Sequence, residues 1–104
     1  MRRGEVYEYS LPYPPERVRV VVLSTDPYLE DPRSRPTCVD IVRRIAGVTS
    51  PLLVPLVDPD PVGGVVDVTS IRPCSRDRLT GPIGMLTGGS MARVTEALAA
   101  YLEI

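Results

Sequence analysis

From residue 19 to residue 24 the chain reads Arg19-Val20-Val21-Val22-Leu23-Ser24, and this segment decides the fold. Four apolar residues, three of them β-branched, stand between a charged residue and a hydroxyl residue. Such a run is typical of a strand buried on both faces of a sheet. The turn sequence Thr25-Asp26-Pro27 follows directly and ends the run. We therefore predict a central strand over residues 18–24.

Further strands are predicted on both sides of this segment. Glu5 to Leu11 has the alternation of a half-buried strand and is followed by a proline cluster, residues 12–15, which predicts a rigid loop. Later apolar runs are separated by turn sequences rich in proline and glycine. These runs predict strands at residues 37–45, 51–57, 63–71 and 83–86. Five or six short strands indicate a strongly bent antiparallel sheet or barrel.

One long helix is predicted near the end of the sequence. Ser90 is a suitable N-cap, and Met91, Val94 and Leu98 then fall on one side of a helix that reaches Leu102. Single helical turns are predicted at residues 28–30 and 75–79. The fold class is therefore mainly β, an α+β arrangement with one closing helix, and we expect residues 1–104 to form a single domain.

Composition limits the possible function classes. The chain has 104 residues, a net charge of −1 and 12 basic residues, all of them arginine. With so little net charge, binding of nucleic acid needs a local cluster of arginines near the phosphates. The chain contains no histidine, which excludes every mechanism that needs an imidazole base, including the Ser-His-Asp triad.

Neither a metal site nor a membrane span is predicted. Cys38 and Cys74 lack the spacing and the histidine partners of a zinc site, and we expect both to be reduced core residues. Asp58 and Asp60 lie in a proline-rich turn, which is usually a solvated loop and not a cation site. No apolar run approaches the ~20 residues needed to cross a bilayer. Without a secretory leader, the expected location is the cytoplasm.

Three segments, in their order and spacing, resemble the MazF/PemK toxin family. They are Arg3-Gly4-Glu5-Val6-Tyr7, the segment from Arg19 to Ser24, and residues 78–102, where Ile83-Gly84-Met85-Leu86 leads into the helix. The resemblance covers most of the chain, although the middle matches only by pattern. It implies a small SH3-like antiparallel barrel with a C-terminal helix, a fold shared with CcdB, and a two-fold homodimer.

The resemblance also implies a function. Members of this family are metal-independent, sequence-selective endoribonucleases of the mRNA interferase type, the toxins of type II toxin-antitoxin systems, so a cognate antitoxin is expected and no cofactor. The 2′-hydroxyl of single-stranded RNA attacks the neighbouring phosphorus and leaves a 2′,3′-cyclic phosphate and a 5′-hydroxyl. Two alternatives stay open: a CcdB-like inhibitor of DNA gyrase, and a degenerate binding module without catalysis.

Four residues are candidates for catalysis. Arg19 stands where the family has its active-site arginine, although Val20 replaces the usual proline. Glu16, in the predicted loop before it, falls near the family's acidic residue and is the candidate base. The family's third-strand threonine has no counterpart, so either Arg43 or Arg44 binds the phosphate or the cleavage site is damaged. Arginine suits the task because its planar fork holds two oxygens and stays charged.

Five further residues are candidates for RNA binding: Arg17, Ser24, Thr69, Ser70 and Arg72. Thr69 and Ser70 can hydrogen-bond to base edges or to phosphate, and Arg72 would extend a basic rim. Ordinary strand hydroxyls and solvated charges explain the same residues nearly as well, so the sequence leaves both interpretations open.

Overall fold

The computed structural model describes residues 1–104 and has a single antiparallel sheet with a long helix packed against it. The strands follow the order β4-β5-β3-β2-β1-β6 across the sheet. The predicted mainly β, α+β class with a C-terminal helix is confirmed. In chain order the elements are β1 (Glu5–Pro12), β2 (Pro15–Val22), α1 (Asp26–Leu29), β3 (Thr37–Val42), β4 (Leu53–Pro55), β5 (Val65–Pro73), a 3₁₀ turn (Arg76–Arg78), β6 (Leu79–Met85) and α2 (Gly88–Leu102).

The hairpin of β1 and β2 is longer than the sequence predicts. Pro12 pairs with Pro15 across the two strands, so the proline cluster is a tight turn at the hairpin tip and not an extended loop. Proline is tolerated there because the strand ends need no further ladder hydrogen bonds. The prediction that Glu16 lies in a loop is therefore wrong, since this residue is on β2.

Several other strand boundaries differ from the prediction, among them those of β2, β4 and β5 and, with more consequence, those of β3 and β6. β3 ends at Val42, so Arg43 and Arg44 lie on the following loop and not within a strand. β6 begins at Leu79 and runs through Gly81-Pro82, a pair predicted to precede the strand. It tolerates the proline because it is an edge strand, on which one side of the backbone has no hydrogen-bonding partner.

Helix α2 begins earlier than predicted. Thr87 is its N-cap, and its side-chain oxygen accepts a hydrogen bond from the backbone N–H of Ser90 at 3.2 Å. Ser90, predicted to be the N-cap, instead lies in the first turn and is fully buried. The glycines at positions 88 and 89 adopt helical conformation before it. No helix of the chain is long and apolar enough to span a membrane.

The core has two parts, one on each face of the sheet. Consecutive side chains of β2 belong alternately to the two parts, as expected for a central strand that is covered on both faces. The larger part, which includes residues of α2, contains Val6, Val21, Val39, Ile41, Val66 and Val94. The smaller part contains Tyr7, Tyr9, Val20, Val22, Cys38 and Cys74. Both cysteines are free and completely buried, as predicted.

The β4–β5 loop, residues 56–64, extends from one edge strand of the sheet, β4, to the other, β6. We call it the bridging loop. The edge strands β4 and β6 do not pair with each other. Pro61 of the bridging loop packs instead on the backbone of β6 at Gly84, where an added Cβ would come within 2.5 Å of the proline ring. A glycine is therefore required at position 84 for this close approach.

Asp60 fastens the bridging loop to the start of α2. Its carboxylate accepts hydrogen bonds from the backbone N–H of Thr87 at 2.9 Å and from the hydroxyl of Ser90 at 2.5 Å. Arg93 donates a further hydrogen bond to the Ser90 hydroxyl at 2.9 Å. Partial burial opposes ionisation of Asp60, but the hydrogen bonds outweigh it and lower its pKa below the ordinary value.

Candidate functional site

The site lies at the edge of the core, where neighbouring residues on three adjacent strands change from buried to exposed. Arg19 on β2 pairs with Glu8 on β1 and with Ile41 on β3. Ile41 belongs to the larger core, whereas Arg19 is exposed. Because side chains alternate along a strand, Arg19 shares its face with the buried Val21. The guanidinium therefore extends from the edge of a rigid, packed surface.

An open cavity of about 430 Å³ surrounds this position. We call it the basic cleft. Its volume is within the ~300–1,000 Å³ that is usual for ligand sites. Three guanidinium groups line it and no carboxylate does, so its lining is strongly positive. The lining residues are Arg19, Ile41, Val42, Arg43, Arg44, Gly63 and Gly64.

The three arginines of the basic cleft have no partner within the chain. The salt bridges of the protein join Arg17 to Glu8, Arg33 to Asp31 and Arg72 to Asp40, and the side-chain hydrogen bonds involve none of the three cleft arginines. All three are exposed. Their donors are therefore free to bind an anion, and a phosphate group matches the forked geometry of guanidinium. Three of the four predicted catalytic residues thus lie together.

Gly64 forms part of the wall of the basic cleft. Its φ of +116° lies in the region that favours glycine, and an added Cβ would be 2.7 Å from the backbone oxygen of Val42. Its own carbonyl accepts a hydrogen bond from the N–H of Leu56 at 2.9 Å. The wall is consequently backbone, held close to the end of β3.

Glu16, the fourth predicted catalytic residue, does not line the basic cleft. Residues 16 and 19 are an odd number of positions apart on one continuous strand, so their side chains lie on opposite faces of the sheet. The carboxylate across from Arg19 in the ladder is Glu8, which forms a salt bridge with Arg17 at 3.8 Å. Sequence reasoning missed Glu8 because strand register is needed to bring it beside Arg19.

Arg72 is used within the protein. Its guanidinium forms a salt bridge with Asp40 at 2.8 Å and lies 5.5 Å from the centre of the Tyr9 ring. Burial by itself would lower the pKa of Arg72, but the hydrogen bond and the charge of Asp40 outweigh it and raise that pKa. Tyr9 belongs to the smaller core, so Arg72 lies on the opposite sheet face from Arg19.

Thr69 and Ser70 lie where the pairing of β3 and β5 is irregular. The Thr69 hydroxyl donates to the Asp67 carboxylate at 2.6 Å. The Ser70 hydroxyl donates to the carbonyl of Asp67 at 2.6 Å and accepts from the N–H of Asp40 at 2.7 Å. The Ser70 hydroxyl thus satisfies two backbone groups where the ladder is irregular, and the Thr69 hydroxyl is bound to a side chain of its own strand.

Ser24 and Arg17 are the remaining candidates for RNA binding. Ser24 follows the far end of β2, and its hydroxyl oxygen accepts a hydrogen bond from the N–H of Thr37 at 2.8 Å. It is therefore distant from Arg19 along the strand. Arg17 is two residues from Arg19 on the same face and its side chain is 78% exposed. Of the five candidates, Arg17 is the one placed next to the basic cleft.

No group of three or more histidine, cysteine or acidic side chains is placed to hold a metal ion. In the turn that contains Asp58 and Asp60, the second carboxylate is already engaged by the start of α2. The charged side chains that line the basic cleft are all arginines.

The architecture is that of the MazF toxins. The chain matches an endoribonuclease in complex with its cognate antitoxin from a mycobacterial species with a TM-score of 0.90 and 24% identity, over 100% of this chain and 96% of that one. It matches MazF from Deinococcus radiodurans with a TM-score of 0.83 and 20% identity, over 100% and 97%.

The Mycobacterium tuberculosis toxin MazF-mt6 gives a TM-score of 0.78 and 16% identity, over 96% and 97% of the two chains. No protein-family model and no curated protein matches the sequence. At these identities the similarity establishes the fold, and the MazF-like fold implied by the three sequence segments is confirmed.

Proposed function

We propose that this chain is a metal-independent endoribonuclease, the toxin of a type II toxin-antitoxin pair, which cleaves single-stranded RNA at selected sequences in the cytoplasm. The observation that carries the proposal is the convergence of three unpartnered arginines, Arg19, Arg43 and Arg44, on one open cleft. The fold supports it, because structures of the same fold are described as endoribonucleases. A gyrase inhibitor has no comparable support.

The proposed reaction is an internal transfer on phosphorus. The 2′-oxygen of one nucleotide bonds to the adjacent phosphorus, and the bond from phosphorus to the 5′-oxygen of the next nucleotide breaks. A base takes the proton of the 2′-hydroxyl, and the leaving 5′-oxygen gains a proton from a general acid or from water. The products carry a 2′,3′-cyclic phosphate and a 5′-hydroxyl, so no external reactant is consumed.

The position of each cleft residue indicates its role in the proposed reaction. Arg19 extends from the rigid sheet and is assigned to the non-bridging oxygens of the scissile phosphate, where negative charge grows in the transition state. Arg43 and Arg44, on the loop after β3, are assigned to phosphates of the bound strand. Arginine cannot take up the 2′-hydroxyl proton because it is already protonated. We therefore assign the base to Glu8 in preference to Glu16. Glu8 is outside the lining of the cleft, but it lies opposite Arg19 in the ladder and on the same face of the sheet.

A cleavage assay in EDTA tests the proposal. Wild-type protein is incubated with mixed single-stranded RNA beside Arg19→Ala and, as a matched control, Arg35→Ala, an exposed arginine outside the cleft. We expect the first variant to cleave about 10²–10³-fold more slowly, as when one transition-state donor is lost. The control should match wild type, and the new ends should carry 2′,3′-cyclic phosphate.

Intact RNA after incubation with folded wild-type protein would refute the endoribonuclease. Inhibition of DNA supercoiling by gyrase would then favour the CcdB-like alternative, and absence of both activities would leave the degenerate binding module.

The proposal includes two protein partners. One is a cognate antitoxin, as in the mycobacterial complex. A negatively charged antitoxin segment would complement the basic cleft and block RNA. The other is a second copy of the chain, since Tyr101, Leu102 and Ile104 at the end of α2 expose apolar surface that a homodimer would cover. Light scattering of the purified protein separates dimer from monomer, and a small neighbouring gene for an acidic chain would identify the antitoxin.

A further inference from the structure

A second cavity adjoins the basic cleft and differs from it in charge. Its volume is about 540 Å³, and it is lined entirely by residues of the bridging loop, between Leu56 and Gly63. Gly63 lines both cavities, so they share a wall. The second cavity contains two carboxylates, Asp58 and Asp60, among apolar side chains, whereas the basic cleft contains only arginines as charged groups. We call the second cavity the acidic subsite.

The two carboxylates of the acidic subsite are not equivalent. Asp60 accepts hydrogen bonds from Thr87, from Ser90 and from the N–H of Val57 at 3.1 Å, so it is committed to holding the loop. Asp58 is exposed and takes part in no hydrogen bond or salt bridge within the chain. The subsite thus presents a single free carboxylate beside an apolar lining of leucine, valine and proline.

We propose that the acidic subsite receives a nucleobase of the RNA strand held in the basic cleft, and that Asp58 selects bases by their hydrogen-bond donors. This inference rests on the proposed function. The apolar lining suits the faces of a base, and an unstacked base offers its Watson–Crick edge to a side chain. Phosphates in the neighbouring basic cleft would bring such a base to the shared wall.

The chemistry of a carboxylate ranks the four bases. An ionised carboxylate only accepts hydrogen bonds. Guanine offers an imino and an amino donor side by side, which match the two carboxylate oxygens. Cytosine and adenine each offer an amino donor beside a ring acceptor, and carboxylates accept readily from the cytosine amino group. Uracil offers one donor between two carbonyl oxygens that repel the carboxylate. Guanine should therefore be preferred and uracil rejected.

Mapping of cleavage positions tests the inference. Wild type, Asp58→Ala and the control Asp77→Ala, an exposed aspartate on the 3₁₀ turn, are incubated with the same mixed RNA and the cut ends are sequenced. We expect wild type to favour guanine over uracil at one fixed position near the cut. In Asp58→Ala the preference for guanine over uracil should fall about tenfold, in keeping with the loss of one polar base contact, although the variant still cleaves RNA. The control should keep the wild-type profile.

An Asp58→Ala variant that keeps the wild-type base preference would overturn the inference, whether its overall cleavage is unchanged or is lowered uniformly. If the same variant has also lost binding of an arginine-rich peptide, the subsite is assigned to a protein partner.

Failure of the proposed function is distinguishable from failure of the inference. If wild type cleaves nothing, binding of fluorescent oligonucleotides that differ only in guanine or uracil content replaces cleavage. A guanine preference that Asp58→Ala abolishes supports the subsite without catalysis, and equal binding of both oligonucleotides overturns it.

Discussion

At the level of single residues, the arginines differ in whether their guanidinium groups already bind other groups of the protein. Arg76 donates hydrogen bonds to the carbonyls of Leu29 and Ser34 at 2.9 and 2.7 Å and so holds the loop before β3. Arg72 is bound to Asp40. Arg19 has no such partner. Because the residue type is the same throughout, only the surroundings separate structural arginines from those available to phosphate.

Single substitutions also test which carboxylate is the general base of the proposed reaction. Replacing Glu8 by glutamine is expected to lower kcat by about 10²–10⁴-fold, the usual contribution of a general base. Glu16→Gln is the matched control, because its side chain lies on the other face of the sheet. The kcat of both variants is measured with one RNA oligonucleotide.

The opposite pattern would reassign the base. A Glu16→Gln variant with a strongly lowered kcat, beside a Glu8→Gln variant that keeps the wild-type kcat, would return the role to the carboxylate that the family resemblance indicates.

At the level of elements, the bridging loop does the most to shape the site. It is fastened to α2 through Asp60 and to β6 through Pro61. Its last residue, Gly64, lies against the end of β3. One loop therefore supplies a wall of the basic cleft and all of the acidic subsite, and its geometry is set by contacts with three different elements.

Substitution of the two adjacent glycines tests this role. Gly64→Ala is expected to lower the free energy of unfolding by about 1–3 kcal/mol, because alanine at positive φ is strained and its Cβ would meet the Val42 oxygen. Gly63→Ala is the matched control, since an added Cβ there has no neighbour within 4 Å. Denaturant unfolding of both variants gives the comparison. Equal losses would show that the wall at Gly64 is not tightly held.

At the level of the whole molecule, charge is distributed unevenly. The net charge of the chain is −1, yet three arginines without partners share one cleft. The overall field does not attract RNA, so affinity has to come from the few phosphates that reach the cleft. Binding should therefore be modest and local.

The dependence of binding on salt measures how many phosphates are engaged. If the three cleft arginines each neutralise one phosphate, the slope of log K against log salt should be about −2, from ~0.7 per phosphate on a single strand. Arg43→Ala and Arg44→Ala should each reduce the slope by about 0.7. The affinity is measured by fluorescence anisotropy with a 2′-deoxy oligonucleotide, which cannot be cleaved. Arg35→Ala is the control, and an equal reduction by it would contradict a local site.

Much of the architecture follows from local sequence pattern. The valine run of β2, the alternation in β1 and the apolar side of α2 depend on periods of two and of 3.6 residues, which neighbouring residues determine. The element boundaries were less predictable. Pro12 and Pro15 are typical of a loop, yet they pair at the hairpin tip, and Thr87 competes with Ser90 for the cap of α2.

The sequence by itself determined the strands, the closing helix and an inventory without histidine or lysine, because these are properties of residue type and local order. Only the tertiary structure decided that Glu8 and not Glu16 pairs with Arg19, and that Asp60 is committed while Asp58 is free. The physical reason is that register, cavities and hydrogen-bond partners arise from contacts between residues far apart in the chain, which no local pattern encodes.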